Sequence, residues 1–176
     1  QDGPVLRPDR PWEGNSIQLW GSVLYDEEEK HFKAWYYAIN QDLYMRGVQG
    51  YFMCYATSRD GVEWEKPELG IVSCEGSSAN NIVYPPPGVE HGIDPWGVIK
   101  DPWEEDPARR YKMGVYQQRP TAAAPNLEDP DMSPAARNQA RKIFFDVNRD
   151  HHGMYAAFSP DGTHRTLAQD NWLPRA

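Results

Sequence analysis

Two short stretches of this chain set a carboxylate among rings: Trp12-Glu13-Gly14, and His91-Gly92-Ile93-Asp94-Pro95-Trp96. A carboxyl group can hold, give or take a proton, and an aromatic face can stack on the apolar face of a sugar ring. Trp12 could floor such a ring beside Glu13, and Trp96 and Trp103 offer further platforms. His91 stands near enough to Asp94 in sequence to line the same cleft. Each has a plainer reading: Glu13 as a loop carboxylate, Asp94-Pro95 as a turn opening a strand, His91 as a loop histidine, the tryptophans as packing. Other chemistries find no support. His151-His152 lacks further ligands at metal spacing, and no phosphate loop, nucleophile elbow or zinc motif occurs. No metal and no cofactor is expected. Cys54 reads as a small buried hydrophobe inside a strand. A bridge to Cys74 stays open for an exported protein, because spacing alone does not establish one.

The elements that must hold these residues are organised around Tyr51 to Gly70. Tyr51 to Thr57 is aromatic, β-branched and small, which favours a strand. Ser58-Arg59-Asp60-Gly61 then makes a turn, where Asp bonds its own backbone and Gly takes positive φ. Trp64 plugs the far side, and Pro67 and Gly70 end the run. The same unit returns at Met154 to His164, with Ser159, Asp161 and Gly162 in the places of Ser58, Asp60 and Gly61. Asp60 and Asp161 are therefore read as turn caps and not as reacting groups.

In chain order, residues 1–16 form a Pro-rich lead-in. Trp20 to Tyr25 reads as a strand, Asp26 to Lys30 as an acidic hairpin turn, and Phe32 to Ala38 as the returning strand. Residues 40–50 read as a loop, with a short edge strand expected around Gly70 to Ser73. After the Pro85 to Gly88 break, Trp96 to Lys100 reads as a strand and the first half recurs. Val98 to Asp101 matches Val23 to Asp26, 75 residues on. Tyr111 to Tyr116 matches Phe32 to Tyr37 at 79, and Ser159 to Gly162 matches Ser58 to Gly61 at 101. Three blocks in one order, separated by insertions, predict an all-β chain of two antiparallel four-stranded units. The units are 17–84 and 85–176, the second interrupted by 119–150. Within that insertion Ser133-Pro134 is a helix start, and Ala136, Ala140, Ile143 and Phe144 keep helical spacing, so one short helix is expected near 134–144. Asp26 and Asp101 close corresponding hairpins and are read as structural. Glu27 to Glu29 and Glu104 to Asp106 are read as solvated turns.

A count of 16 Pro and 14 Gly with 7 Trp and 10 Tyr suits a sheet protein with many turns and aromatic-lined clefts. The net charge of −8 argues against nucleic acid as a partner. No apolar run approaches the ~20 residues that span a bilayer, so no membrane partner is expected. The chain opens without an initiator Met or signal pattern and stops just after a turn, which reads as a fragment. An extracellular or periplasmic place is the expectation.

The runs Tyr55 to Pro67, Val98 to Pro102 with Arg109 to Met113, and Ala157 to Gly162 together resemble the five-bladed β-propeller glycoside hydrolases, the invertase-like and arabinanase-like enzymes of families 32, 43 and 68. The resemblance covers most of the chain outside 119–150. It implies that the two units are propeller blades, with the remaining blades as their partners, and that the substrate is a carbohydrate. Glycosidic cleavage needs paired carboxyl groups, and in these enzymes three acids from successive blades meet at the axis. The resemblance carries the second-blade acid to Asp94, although Ile93 replaces the Arg of the family's Arg-Asp-Pro motif. The first blade lacks the family's Asp-Pro motif, which leaves Glu13 as the nearest acid. The third acid is expected beyond the repeats seen here. A propeller that binds carbohydrate without cleaving it is the alternative.

Overall fold

The computed structural model describes residues 3–46, 49–85, 93–118, 132–136, 139–140 and 152–167. They form two antiparallel four-stranded sheets. The first has the order β1 (Ser16–Asp26), β2 (His31–Ile39), β3 (Tyr51–Ser58), β4 (Ile82–Tyr84). The second has the order β5 (Ile93–Lys100), β6 (Tyr111–Gln118), β7 (His152–Ser159), β8 (Thr166–Leu167).

The strand registers repeat as the sequence blocks do. Leu24 pairs with Lys33 in the first sheet, and Ile99 with Lys112 in the second. Phe32 pairs with Ser58, and Tyr111 with Ser159. The two turns share one bonding pattern. Ser58 Oγ accepts from Gly61 N at 2.9 Å, while Asp60 Oδ1 accepts from Val62 N at 2.8 Å and Glu63 N at 2.9 Å. Ser159 Oγ accepts from Gly162 N at 2.8 Å, while Asp161 Oδ1 accepts from Thr163 N at 2.7 Å and His164 N at 2.9 Å. Both aspartates are consumed in capping, as their place in the turn implies.

Three local expectations are corrected. Residues 40–50 are not all loop: Asn40 Oδ1 accepts from Leu43 N at 3.0 Å and starts α1 (Gln41–Met45). No strand forms at 70–73, where Pro67 and Gly70 interrupt pairing. The fourth strand is Ile82–Tyr84, three fully buried residues opposite Met53 and Cys54. β5 begins at Ile93 and not at Trp96, so Asp94 lies inside the strand, backbone-paired with Tyr116. In the insertion, 134–136 and 139–140 are helical, and Ser133 Oγ accepts from Ala136 N at 3.2 Å. The rest of 119–150 lies outside the described residues.

The sheets pack face to face. Strand alternation sends Lys33 and Trp35 toward the second sheet and Ala34, Tyr36 and Ala38 away from it. Trp35, Met53, Tyr55, Val83 and Tyr84 meet Val98, Tyr111, Met113, Val115 and Ala157 in one core. On the opposite face of the first sheet, Tyr36, Phe52, Cys54 and Ile82 are covered by Leu6, Trp12, Trp64 and Val72. The second sheet thus presents to the first a face different in kind from the one it receives, a head-to-tail stacking.

A buried ion cluster fastens this seam. Asp26 is 2% exposed, and its carboxylate accepts from Lys33 Nζ at 2.9 Å, Lys100 Nζ at 3.0 Å and Tyr111 Oη at 2.9 Å. The backbone N–H groups of Glu28 and Glu29 complete its shell. Burial alone would raise the Asp26 pKa, but the hydrogen bonds from Lys33 and Lys100 hold it well below the ordinary carboxylate range. Asp26 and Lys33 belong to the first sheet, Lys100 and Tyr111 to the second.

The second turn also reaches across. Trp35 Nε1 donates to Gly162 O at 2.7 Å, and a Cβ on Gly162, at φ 85°, would stand 2.6 Å from Trp35 Cζ2. Gly61, at φ 75°, has no neighbour closer than 3.6 Å to such a Cβ. Gly61→Ala is therefore expected to cost about 1 kcal/mol, the left-handed backbone penalty. Gly162→Ala adds a clash inside the seam, for about 2–4 kcal/mol in total. Equilibrium denaturation of the two variants checks the difference.

Candidate functional site

β1 and β5, each the first edge strand of its sheet, run side by side in the same direction. Val98 N donates to Ser22 Oγ at 2.9 Å, and further along Lys100 reaches Asp26. Each strand carries a bulge with the same dipeptide, Trp20-Gly21 in β1 and Trp96-Gly97 in β5. The bulges adjoin, since a Cβ on Gly97 would lie 3.3 Å from Ser22 Oγ and 3.8 Å from Gly21 O. Gly21 itself is obligatory: a Cβ there would fall 2.0 Å from Trp35 O.

The bulges turn large rings outward. Trp20 is 57% and Trp96 54% exposed. Trp20 heads an aromatic row across the first sheet, stacked on Tyr37 with centroids 5.5 Å apart and planes at 11°. Tyr37 stacks on Tyr51 at 6.0 Å, and Tyr44 of α1 meets Tyr51 edge-on at 5.0 Å. Trp20 and Tyr44 are exposed, Tyr51 is half-buried and Tyr37 is buried beneath them, so the exposed rings are held in place at low entropic cost.

Upstream of the bulges the registers bring a second pair into correspondence. Gln18 pairs with Tyr37 as Asp94 pairs with Tyr116, so Gln18 is the first sheet's counterpart of Asp94. Asp94 thus stands near the start of β5, just upstream of the Trp96-Gly97 bulge. The corresponding group of the first sheet is a carboxamide, whose Oε1 is buried without a hydrogen-bond partner among the described residues. A carboxamide accepts and donates hydrogen bonds but does not supply a proton for bond cleavage.

Glu13 lies elsewhere. It ends a 3-10 turn at Pro11–Glu13, behind the first sheet, with no exposed surface. Its carboxylate accepts from Tyr36 Oη at 2.5 Å, Lys66 Nζ at 2.8 Å, and the Asp9 and Arg10 N–H groups at 2.8 and 3.0 Å. Every lone pair in reach is engaged, and the arrangement is that of a buried structural anion. Burial, with Cys54 and Glu13 close by, raises the Tyr36 pKa and keeps the phenol protonated. Trp12 is half-buried beside it, its Nε1 donating to Asn81 Oδ1 at 2.8 Å. Asn81 Nδ2 in turn donates to Tyr36 Oη at 2.7 Å. Trp12 and Glu13 therefore belong to one network that pins the lead-in to β2, apart from the Trp20–Trp96 surface.

Of the other residues singled out, His91 and His151 lie outside the described residues. Trp103 is 87% exposed in the hairpin turn after β5. Cys54 and Cys74 are free thiols, and burial raises the pKa of both. Among the described residues no cluster of three or more His, Cys, Asp or Glu is placed to hold a metal, and no helix is long and apolar enough to cross a membrane. Trp20 and the tyrosine row were missed from the sequence, although the repeated Trp-Gly dipeptide was the signal for them.

No protein-family model matches this chain, and neither a curated protein nor a solved structure matches it.

Proposed function

We propose that the two sheets are blades of a β-propeller and that the chain binds carbohydrate where β1 and β5 adjoin. One observation carries the reading: Trp20 and Trp96 occupy repeat-equivalent bulges on neighbouring strands, and each ring is more than half exposed, Trp20 with one face backed by Tyr37. Pyranose and furanose rings have apolar faces that stack on indole, and their hydroxyls suit the polar groups upstream. The acidic surface and the sheet architecture fit a neutral, hydroxyl-rich ligand better than a polyanion.

A glycosidase is the second reading, favoured by the place of Asp94 at the start of β5. In that reading Asp94 stabilises positive charge developing on the sugar, and the proton donor comes from a neighbouring blade. Gln18 at the matching position of the first sheet and the enclosure of Glu13 put binding ahead of cleavage.

Titration of the protein with oligosaccharides, followed by tryptophan fluorescence, tests the binding proposal. Saturable binding is expected, with Trp20→Ala and Trp96→Ala each weakening it about tenfold, the equivalent of ~1.4 kcal/mol. No sugar-dependent change in fluorescence across a panel of oligosaccharides would defeat it. Turnover of aryl-glycosides, abolished by Asp94→Asn with binding retained, would move the assignment to the second reading.

A further inference from the structure

The second sheet carries on its outer face the same fastening that the first sheet uses at the seam. Asp101 follows β5 as Asp26 ends β1, and Lys112 holds in β6 the register position of Lys33 in β2. Lys33 Nζ lies 2.9 Å from Asp26 and 2.5 Å from Glu29. Lys112 Nζ lies 2.5 Å from Asp101 and 2.8 Å from Glu104. In the first sheet this trio is completed by an ammonium and a phenol from the sheet stacked upon it, Lys100 and Tyr111. In the second sheet no such donors reach Asp101 among the described residues.

The apolar part of the face corresponds as well. Leu24, Trp35, Met53 and Tyr55, which the first sheet buries against its neighbour, are matched by Ile99, Gly114, Met154 and Ala156. Ile99 is 56% exposed, and with Gly97, Gly114 and Phe158 it lines an open groove of about 280 Å³. A mostly apolar groove, with Arg109 lying over Phe158 and a prearranged ion pair at its edge, marks an interface.

We infer that this face docks a third sheet of the same repeat, one that brings a lysine at the end of its first strand and a tyrosine at the start of its second strand onto Asp101. The first sheet of a second copy does not meet that description. At the positions of Lys100 and Tyr111 it has Tyr25 and Phe32, which pair with each other as Lys100 pairs with Tyr111. Its corresponding face is also covered in part by Leu6, Trp12 and Trp64. The inference rests on the repeat and extends the propeller reading, without drawing on the sugar site.

The test appends a second copy of residues 85–176 after Ala176 of the intact chain, which supplies a sheet with the required lysine and tyrosine. The extended chain is expected to melt in one transition, above the Tm of the 176-residue chain. Asp101→Asn in the first copy should lower the Tm of the extended chain by about 6 °C or more, and that of the original chain by less than about 3 °C. Oligosaccharide binding should be unchanged by Asp101→Asn, so failure here and failure of the sugar site are told apart. Equal shifts in both chains, or an appended unit that melts separately, would overturn the inference. So would sedimentation of the 176-residue chain as a dimer that Ile99→Lys dissociates, which would give the face to a second copy.

Discussion

Asp26→Ala is expected to destabilise the protein by about 2–4 kcal/mol, because it empties a buried site between Lys33 and Lys100 and leaves them only the exposed Glu29 and Glu28 as counter-ions. At this chain length the Tm should fall by on the order of 10 °C. Asp101→Ala removes the equivalent carboxylate where no sheet covers it among the described residues, and should lower the Tm far less. Differential scanning calorimetry of the two variants compares one motif in buried and open settings. A pH dependence accompanies the first. Asp26 ionises more readily in the folded than in the unfolded chain, so its contribution is complete above its ordinary pKa of 3.8 and is lost as pH falls below it. Lys33 has its pKa raised, by hydrogen bonds to Glu29 and Asp26 that outweigh burial, so its contribution is complete below 10.5 and fades only above that. Wild-type stability should decline steeply below about pH 4, and Asp26→Ala should flatten that decline.

Glu13→Ala is expected to have an effect of similar size, about 3–5 kcal/mol. The Lys66 side chain is 4% exposed and would keep only the exposed Asp9 as counter-ion. The Tyr36 hydroxyl and two backbone N–H groups would lose their acceptor at the same time. The loss should appear as early unfolding, with hydrogen exchange accelerated first in β2 around Tyr36 and in the lead-in. Glu13→Gln separates this role from a catalytic one. A proton-donating Glu13 would give a variant that melts normally and turns over no glycoside. The buried geometry predicts a lowered Tm with oligosaccharide binding intact at temperatures where the variant is folded.

The repeat was legible in the sequence because strand and turn chemistry is local. Ser58-Arg59-Asp60-Gly61 and Ser159-Pro160-Asp161-Gly162 each contain their own acceptors and their own glycine, so neither needs its neighbours to be recognised. The hairpin ends Asp26 and Asp101 were legible as structural for the same reason. The fourth strand was not, because Ile82–Tyr84 is too short to show alternation and is fixed by its pairing to Met53 and Cys54. Residues 41–45 gave no helical period in so few positions, and Asn40 was the one local sign. At the candidate site, Trp96 stands out from its own neighbourhood, whereas Trp20 reads locally as the start of an ordinary strand. Only the register, with two residues of β2 spanned by a longer stretch of β1, shows that Trp20 sits on a bulge and turns outward. The network around Glu13 and Trp12 is not legible locally, for the complementary reason. Their partners Lys66 and Asn81 lie 53 and 69 residues away, and no local pattern announces a buried network built across such distances.

The Trp20–Trp96 surface depends on β1 and β5 lying against one another, since that contact brings Trp20, Trp96 and the backbone of Asp94 to one end of the molecule. A double-mutant cycle between Asp26 and Lys100, using Asp26→Asn and Lys100→Met in urea denaturation, measures it across the seam. A coupling energy of about 1–3 kcal/mol between the two positions is predicted. Additive effects, with a coupling indistinguishable from zero, would mean that the sheets do not meet there and would contradict the account.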